Sequence, residues 1–483
     1  LKVRDFVCLL LLTAASLVVH GYHPTAEDAA VYVPAIKSIL NPSLYPFGRE
    51  FFTAQAGMTL LPNLVVASVR FSHLPLDWVM FFWHTLSIFL LLLACLQLSR
   101  VLFVEERAQW AGITLLAALL TLPVAGTALY IADQYLNPRA FALFAGIFAT
   151  TAVMEKKYLQ AGLWVCFAAT VHLLMAVFTV SWLFFLVLPS RSGLRPAPAL
   201  SGLPLGISLK YPSAAYREAV QTHTYFFLLR WQWYEWLGIF GPLAILYGLS
   251  RLGRKQGLTN VENLCRASIP FALFYFVVAV IVMIPDRLIA FARFQPLRSL
   301  QIVYVLLILI GGGCLGKWLL KGRAWLWLAV CLLLSAGMFY ASRQLFPATP
   351  QIEWPGIALK NDWTKTFAWI KANTPTDAIF ALNPEHLKLP GEDYQGFRGL
   401  AERSMVADAV RDSGVVTYFP DSAIAEHWQE QVNAQQGWSK FQLADFERLR
   451  AKYGVSWVVL DQKGDLGVDC PYANATLRVC RLP

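Results

Sequence analysis

Two uncharged apolar runs, residues 79–98 and 108–130, set the terms for the rest of this chain. Each reaches the roughly 20 residues that a helix needs to cross a bilayer. Similar runs recur up to about residue 342. Composition agrees: 57% of the 483 residues are hydrophobic and 14% are charged, against about 25% charged in soluble domains. The pattern predicts an α-helical polytopic membrane protein.

Much of the basic charge sits in short connectors: Lys2 and Arg4, Arg100 and Arg107, Lys156 and Lys157, residues 251–255 and residues 317–323. Positive charge collects in cytoplasmic loops, which fixes an alternation. Helices are expected at 5–22, 78–98, 109–130, 138–154, 159–188, 236–252, 268–285, 299–320 and 325–342. Residues 23–77, 131–139, 190–235 and 286–298 then form outer loops of a transmembrane domain spanning 1–345. That makes nine crossings, and up to eleven on two further readings. Residues 57–71 are apolar but short, a juxtamembrane or re-entrant piece. Residues 159–188 would be about 45 Å long as one helix, and alternatively turn back near His172. The formal charge of +10 forms no basic stripe with interleaved aromatics on a soluble module, so nucleic acid is not an expected partner.

From about residue 350 the chain becomes more charged and its segments short. Residues 362–372, 422–435 and 441–453 read as helices, and 378–382, 455–460 and 477–482 as strands. A small soluble α/β domain over 350–483 is expected on the outer side. Cys470 and Cys480 would form a disulfide in an oxidising compartment; two free thiols are the alternative.

Ionisable residues near lipid depth are costly to hold and mark function in membrane proteins. Glu27 and Asp28 follow the first helix, and Asp133 with Arg139 follows the run at 109–130, all at one face. Paired carboxylates there can hold a divalent metal or take a proton from a hydroxyl. The competing reading is local: Thr25 and Asp28 fit a capping box, and Glu27 suits the positive start of a helix at 27–40. Asn137-Pro138 likewise reads as a helix start, with Pro in the first turn.

The outer side also carries Arg49, Lys210, Arg217, Arg230, Arg287, Arg293 and Arg298. Guanidinium matches phosphate oxygens bidentately; snorkelling to lipid headgroups is the plainer account. Trp231, Trp233, Tyr234 and Trp236 form either a membrane-interface belt or a platform for a sugar ring or isoprenoid chain. His172 lies in an apolar run as a core histidine or a residue near the site. Residues 311–313, three consecutive glycines, allow close helix packing. No P-loop, HExxH, G-x-S-x-G or dinucleotide fingerprint occurs.

These features together resemble the GT-C superfamily of integral-membrane glycosyltransferases, in particular a bacterial branch dependent on polyprenyl-phosphate sugars. The resemblance rests on Glu27-Asp28, Asp133-Gln-Tyr135, Pro138-Arg139, the 231–236 aromatic stretch and Gln295-Pro-Leu-Arg298. In the tail it rests on Trp369-Ile, residues 374–378, Gly396-Phe-Arg398 and Glu402-Arg403. It implies transfer of a sugar from a polyprenyl phosphate or pyrophosphate carrier to a glycan, lipid or protein acceptor. Asp28 would be the base, with Glu27 and Asp133 as helpers. Asp28 and Asp133 would hold any divalent cation, magnesium or manganese. Arg139, Arg293, Arg298 and Arg230 would grip the donor phosphate. Tyr135, His172, Trp231, Trp233, Tyr234 and Gln295 would line the substrate. The location implied is the bacterial inner membrane, multi-pass, with a cytoplasmic N-terminus and a periplasmic C-terminal domain. The competing readings are a lipid or solute transporter or flippase, and a non-catalytic assembly protein of similar fold.

Overall fold

The structure, a computed structural model, describes residues 2–188, 211–319, 323–358, 360–389, 393–462 and 467–483. Helix α1 (Val3–His20) leads into a long excursion built from α2 (Ala29–Leu40), α3 (Glu50–Ala56) and α4 (Leu61–Ser72). Then come α5 (Leu76–Leu102), α6 (Glu106–Ala118), α7 (Pro138–Met154), α8 (Tyr158–Val171) and α9 (Leu173–Val187). The helical part continues with α10 (Ala214–Gln221), α11 (Trp233–Lys255), α12 (Thr259–Met283), α13 (Leu300–Cys314) and α14 (Ala324–Leu345). Among the described residues six helical segments are long and apolar enough to cross a membrane, or seven if α3 and α4, bent by 92°, count as one. This is a multi-pass membrane protein.

The expected crossings at 109–130, 138–154 and 159–188 fall on shorter helices, and two of them need correction. Helix α6 stops at Ala118 rather than near 130. Pro123 offers no N–H to a helix, and Ala125, Gly126 and Ala128 build a turn in which both alanines have positive φ (46° and 53°). Val124 N–H donates to Leu129 O at 2.8 Å, closing that turn. Non-helical backbone inside a bundle must find partners within the protein. Gln301 supplies them, its side-chain amide donating to Tyr130 O and Ile131 O at 3.0 and 2.9 Å. The second site loop therefore begins at 119, not 131.

Residues 159–188 break at His172, which is extended (φ −159°). Phe148 stacks on Trp164, whereas Thr150 accepts from the Trp182 indole N–H at 3.0 Å. Helix α8 therefore runs antiparallel to α7 and α9 runs back alongside it, so the hairpin reading describes this segment. Close packing elsewhere depends on glycine. A Cβ on Gly112 would lie 2.4 Å from Leu309 O, and one on Gly312 would lie 2.9 Å from the Gly112 Cα. Helices α6 and α13 thus cross backbone to backbone, as small residues permit in membranes.

The basic connectors gather at one end of the bundle. There Arg100 pairs with Asp5 at 2.6 Å, Lys317 with Glu105 at 3.1 Å, and Arg4 with Glu106. The other end carries the C-terminal part. It contains α15 (Asp362–Asn373), α16 (Phe397–Ala401), α17 (Arg411–Val416), α18 (Ile424–Ala434) and α19 (Leu443–Tyr453). Strands β1 (Ile379–Ala381), β2 (Ser404–Met405), β3 (Trp457–Asp461), β4 (Tyr472–Ala473) and β5 (Leu477–Arg481) form one sheet in the order β2-β1-β3-β5-β4. Strands β2, β1 and β3 are parallel, while β5 is antiparallel to both β3 and β4. Its two faces bury separate cores, one around Phe367, Phe380 and Phe397 and one around Phe446, Val458 and Cys480. Cys470 and Cys480 are disulfide-bonded.

The excursion after α1 grips the C-terminal part at α16 and the segment before it. Lys37 pairs with Glu402 at 2.7 Å, the Tyr45 hydroxyl donates to Arg398 O at 2.8 Å, and Ala26 bridges to Gln395. Beneath, Arg398 holds Asp412 through two bonds of 2.7 and 2.9 Å, both side chains buried. Removing one partner of such a pair typically costs about 3–5 kcal/mol. That contact fixes α17 against α16 within the C-terminal part, and α17 carries part of the site.

Candidate functional site

A cavity of about 350 Å³ lies where the helical end meets the C-terminal part. Its charged lining is Glu27, Asp28, Asp133, Arg139, Arg298 and Arg411, and His223 faces it too. Each is positioned by a local rule. Asn137 caps α7, its side chain accepting from Arg139 N–H at 2.9 Å, with Pro138 in the first turn. That cap aims Arg139 back at the loop containing Asp133. Asp28 occupies the N-cap position of α2 but makes no capping bond. Thr25 Oγ1 is buried without a partner. The capping box read from Thr25 and Asp28 is therefore not formed, because the Asp28 carboxylate turns to arginine instead.

Arg139 is shared. Its Nη1 donates to Asp28 Oδ2 at 3.0 Å, and its Nη2 reaches both Asp133 oxygens at 3.2 and 3.1 Å. Arg411, from the start of α17, pairs with Glu27 and lies 3.7 Å from Asp28. Glu27 itself sits at φ 53°, a left-handed conformation uncommon for a non-glycine residue, which turns its side chain toward α17. Arg298 is buried, with its guanidinium 5.5 Å from the Tyr225 ring centroid and no carboxylate partner among the described residues.

Burial works against the Asp28 charge, but Arg139, Arg411 and Arg298 outweigh it and hold its pKa below the usual range. Asp133 is enclosed more fully. There burial dominates Arg139, the Asp28 charge adds to it, and the pKa is raised. The two acids flanking Arg139 are thus pushed apart, the more open one ionised and the enclosed one harder to ionise.

Of the site residues expected from sequence, Glu27, Asp28, Asp133, Tyr135, Arg139 and Arg298 come together here. The others do not. Arg293 is half-buried and donates to Tyr418 O at 3.3 Å. Arg230 is exposed, its guanidinium over the Phe227 ring. Trp231 is buried against Gly126, where a Cβ would meet its ring at 2.6 Å. Trp233 and Tyr234 point outward, 76% and 57% exposed. Gln295 is buried at φ 42° outside the lining. His172 caps α9, accepting from Met175 N–H at 3.4 Å. Arg49, Arg217 and Arg287 are also outside the lining, and Lys210 lies outside the described residues. Sequence reasoning missed Arg411, His223, Tyr225, Tyr394 and Tyr418. They belong to a connector and to the C-terminal part, where charged and aromatic residues are ordinary.

The donor set does not fit a divalent cation between Asp28 and Asp133. The guanidinium of Arg139 already bridges them, Glu27 is committed to Arg411, and among the described residues no three His, Cys, Asp or Glu side chains cluster to hold a metal. Divalent cations of this kind ask for several oxygen ligands at one point.

Fold and site together define a multi-pass membrane protein with a charged cavity beneath an α/β cap. The chain matches no family model and no curated protein. It is similar to solved structures of the Archaeoglobus fulgidus oligosaccharyltransferase. With the form tethered to an acceptor peptide containing the NVT sequon via a disulfide bond, identity is 12% and TM-score 0.48, over 95% of this chain and 69% of that one. With the apo form they are 11% and 0.36, over 95% and 70%.

Proposed function

We propose that the chain is a GT-C-type glycosyltransferase that moves a sugar from a polyprenyl phosphate or pyrophosphate carrier to an acceptor. The observation that carries this reading is the convergence of Asp28, Asp133, Arg139, Arg298 and Arg411 on one cavity at the end of an apolar bundle. Displacement at an anomeric carbon needs a group to orient and deprotonate the acceptor and cations to stabilise a departing phosphate. Of these guanidiniums, Arg298 pairs with no carboxylate among the described residues, and it is the phosphate grip. Asp28, its side chain 30% exposed against 6% for Asp133, is the carboxylate that orients an acceptor hydroxyl. The bundle's exposed apolar faces supply the surface along which a lipid carrier arrives.

The location we propose is the bacterial inner membrane, with the cavity on the periplasmic face. The basic connectors lie at the opposite end, and the Cys470–Cys480 disulfide suits an oxidising compartment. The test is transfer of radiolabelled sugar from a panel of polyprenyl-phosphate donors by purified protein in lipid. Wild type transfers label, Asp28→Asn loses at least about 100-fold in rate with donor still bound, and Arg298→Met loses donor affinity. Label-independent flux of donor or solute across proteoliposomes, with no transfer, would replace this reading by transport.

A further inference from the structure

We propose that His223 is the catalytic base of this transfer, accepting the acceptor's proton on Nδ1; the proposal rests on the glycosyltransferase reading above. His223 lies between α10 and α11 and lines the cavity with Asp28, Arg298 and Arg411. Its Nε2 is 3.2 Å from the buried Ser413 Oγ of α17. Ser413 has one hydroxyl proton, and Val410 O and Ala409 O stand 2.8 and 3.0 Å away to receive it. Thr222 Oγ1 approaches the same oxygen at 3.0 Å. With its proton given to a backbone carbonyl, Ser413 can only accept from His223. Nε2 therefore carries the hydrogen, and the neutral ring keeps its lone pair on Nδ1.

Nδ1 has no hydrogen-bond partner among the described residues and is not sealed in the interior, and since His223 lines the cavity, the proposal places this lone pair toward it. The ring's position is fixed from both sides. The Tyr225 ring centroid is 5.3 Å away, and Gly414 leaves space that a Cβ would fill 3.5 Å from Nε2. The alternative base, Asp28, already faces two guanidiniums at 3.0 and 3.7 Å. Its carboxylate is engaged by Arg139 at 3.0 Å, whereas Nδ1 of His223 has no partner among the described residues. The charged groups felt by His223 are Arg411, Asp28, Arg298 and Lys388; burial first, then Arg411, brings its pKa down to about 4, which keeps the ring neutral at pH 7.

In the step itself the acceptor hydroxyl oxygen bonds to the anomeric carbon as the bond from that carbon to the carrier's phosphate oxygen breaks. The electron pair leaves with the phosphate, beside Arg298, and the hydroxyl proton passes to Nδ1 and then to water.

The first measurement needs no substrate. Full-length protein labelled with 15N-histidine in lipid nanodiscs gives ring shifts, with His223 assigned by their loss in His223→Gln. The expected signature is a neutral Nε2–H ring from pH 8 down to about pH 5, with the Nδ1–H form entering in Ser413→Ala. An Nδ1–H ring or an imidazolium at pH 7 in wild type overturns the proposal. The second measurement compares acceptors. His223→Gln should lower kcat for a hydroxyl acceptor by roughly 10²–10⁴, leave donor affinity within about twofold, and leave transfer to azide, which brings no proton, unchanged. Equal loss with azide, or full transfer to hydroxyl acceptors, removes His223 as base while the glycosyltransferase reading stands. Absence of transfer by wild type from every donor removes both.

Discussion

One wall of the cavity comes from the first 140 residues and the other from residues 223–225, Arg298 and the C-terminal part, and the two differ in charge. The early wall sets Glu27, Asp28 and Asp133 against Arg139 alone, so its balance is negative. The later wall adds Arg298 and Arg411 with no acid of its own in the lining. A negative wall by itself repels a phosphate-bearing donor. The helical part thus holds the acids together with Arg139 and Arg298, and on the proposed function part of the charge that would admit a phosphate comes from Arg411 of α17. The cap is electrostatically part of the site, not a cover over it.

The sharpest way to break this picture is at the residue common to both acids. Arg139→Met leaves Asp28 and Asp133 facing each other without their shared cation. Losing one member of a buried charge set typically costs about 3–5 kcal/mol, so the variant should melt clearly below wild type and lose transfer almost completely. Thermal unfolding in detergent checks the first expectation and the radiolabel assay the second. Adding Asp133→Asn should restore much of the stability, because the raised pKa of Asp133 marks it as the acid least suited to standing unpaired. If Arg139→Met is as stable as wild type, the bridge is incidental.

The next test falls on the later wall. Arg411→Met should weaken binding of a fluorescent polyprenyl-phosphate probe by about tenfold, and Glu27→Gln by itself should not. Because the two side chains pair, the double variant should show a coupling of about 0.5–3 kcal/mol in the binding cycle. An additive cycle would mean that Arg411 acts on the donor without Glu27. A related test uses Mn²⁺. Wild type should show no stoichiometric Mn²⁺ binding by electron paramagnetic resonance, and transfer should survive chelation by EDTA. One tight Mn²⁺ in wild type, lost in Asp28→Asn, would reverse the assignment.

The early wall was legible because charge in a mostly apolar chain is conspicuous. Asp28, Asp133 and Arg139 each follow a long apolar run, and two such loops at one face must meet. The secondary structure of the tail was legible too: α15, α18, α19, β1, β3 and β5 lie within two residues of where hydrophobic periodicity placed them. What failed was long range. Arg411 is one of several charged residues in the soluble part, and nothing local distinguishes it from Arg398, which is spent on Asp412 inside the cap. The run at 108–130 failed for a different reason. Apolar length alone cannot reveal that Pro123 and a following turn stop a helix whose neighbours still bury it. The aromatic stretch 231–236 left two readings open, because aromatic rings serve membrane interfaces and sugar platforms equally well.

The smallest expected effect falls on that stretch, and it separates exposure from function. Trp233 and Tyr234 stand 76% and 57% exposed on the first turn of α11, facing away from the cavity. Trp231, two residues earlier, is buried with its ring against Gly126, in the turn that also presents Ala125 and Ala128 to the lining. If the outward pair only anchors the helix at the interface, replacing both with alanine should change kcat/KM by less than about twofold, since scattered exposed rings carry little energy in the folded state. Trp231→Ala should do more, because truncating a buried aromatic typically costs about 3–5 kcal/mol and here loosens the loop that leads to Asp133. A reversed order, with the outward pair costing more transfer than Trp231, would make the rings a landing surface for carrier or acceptor and extend the site well beyond the charged cavity.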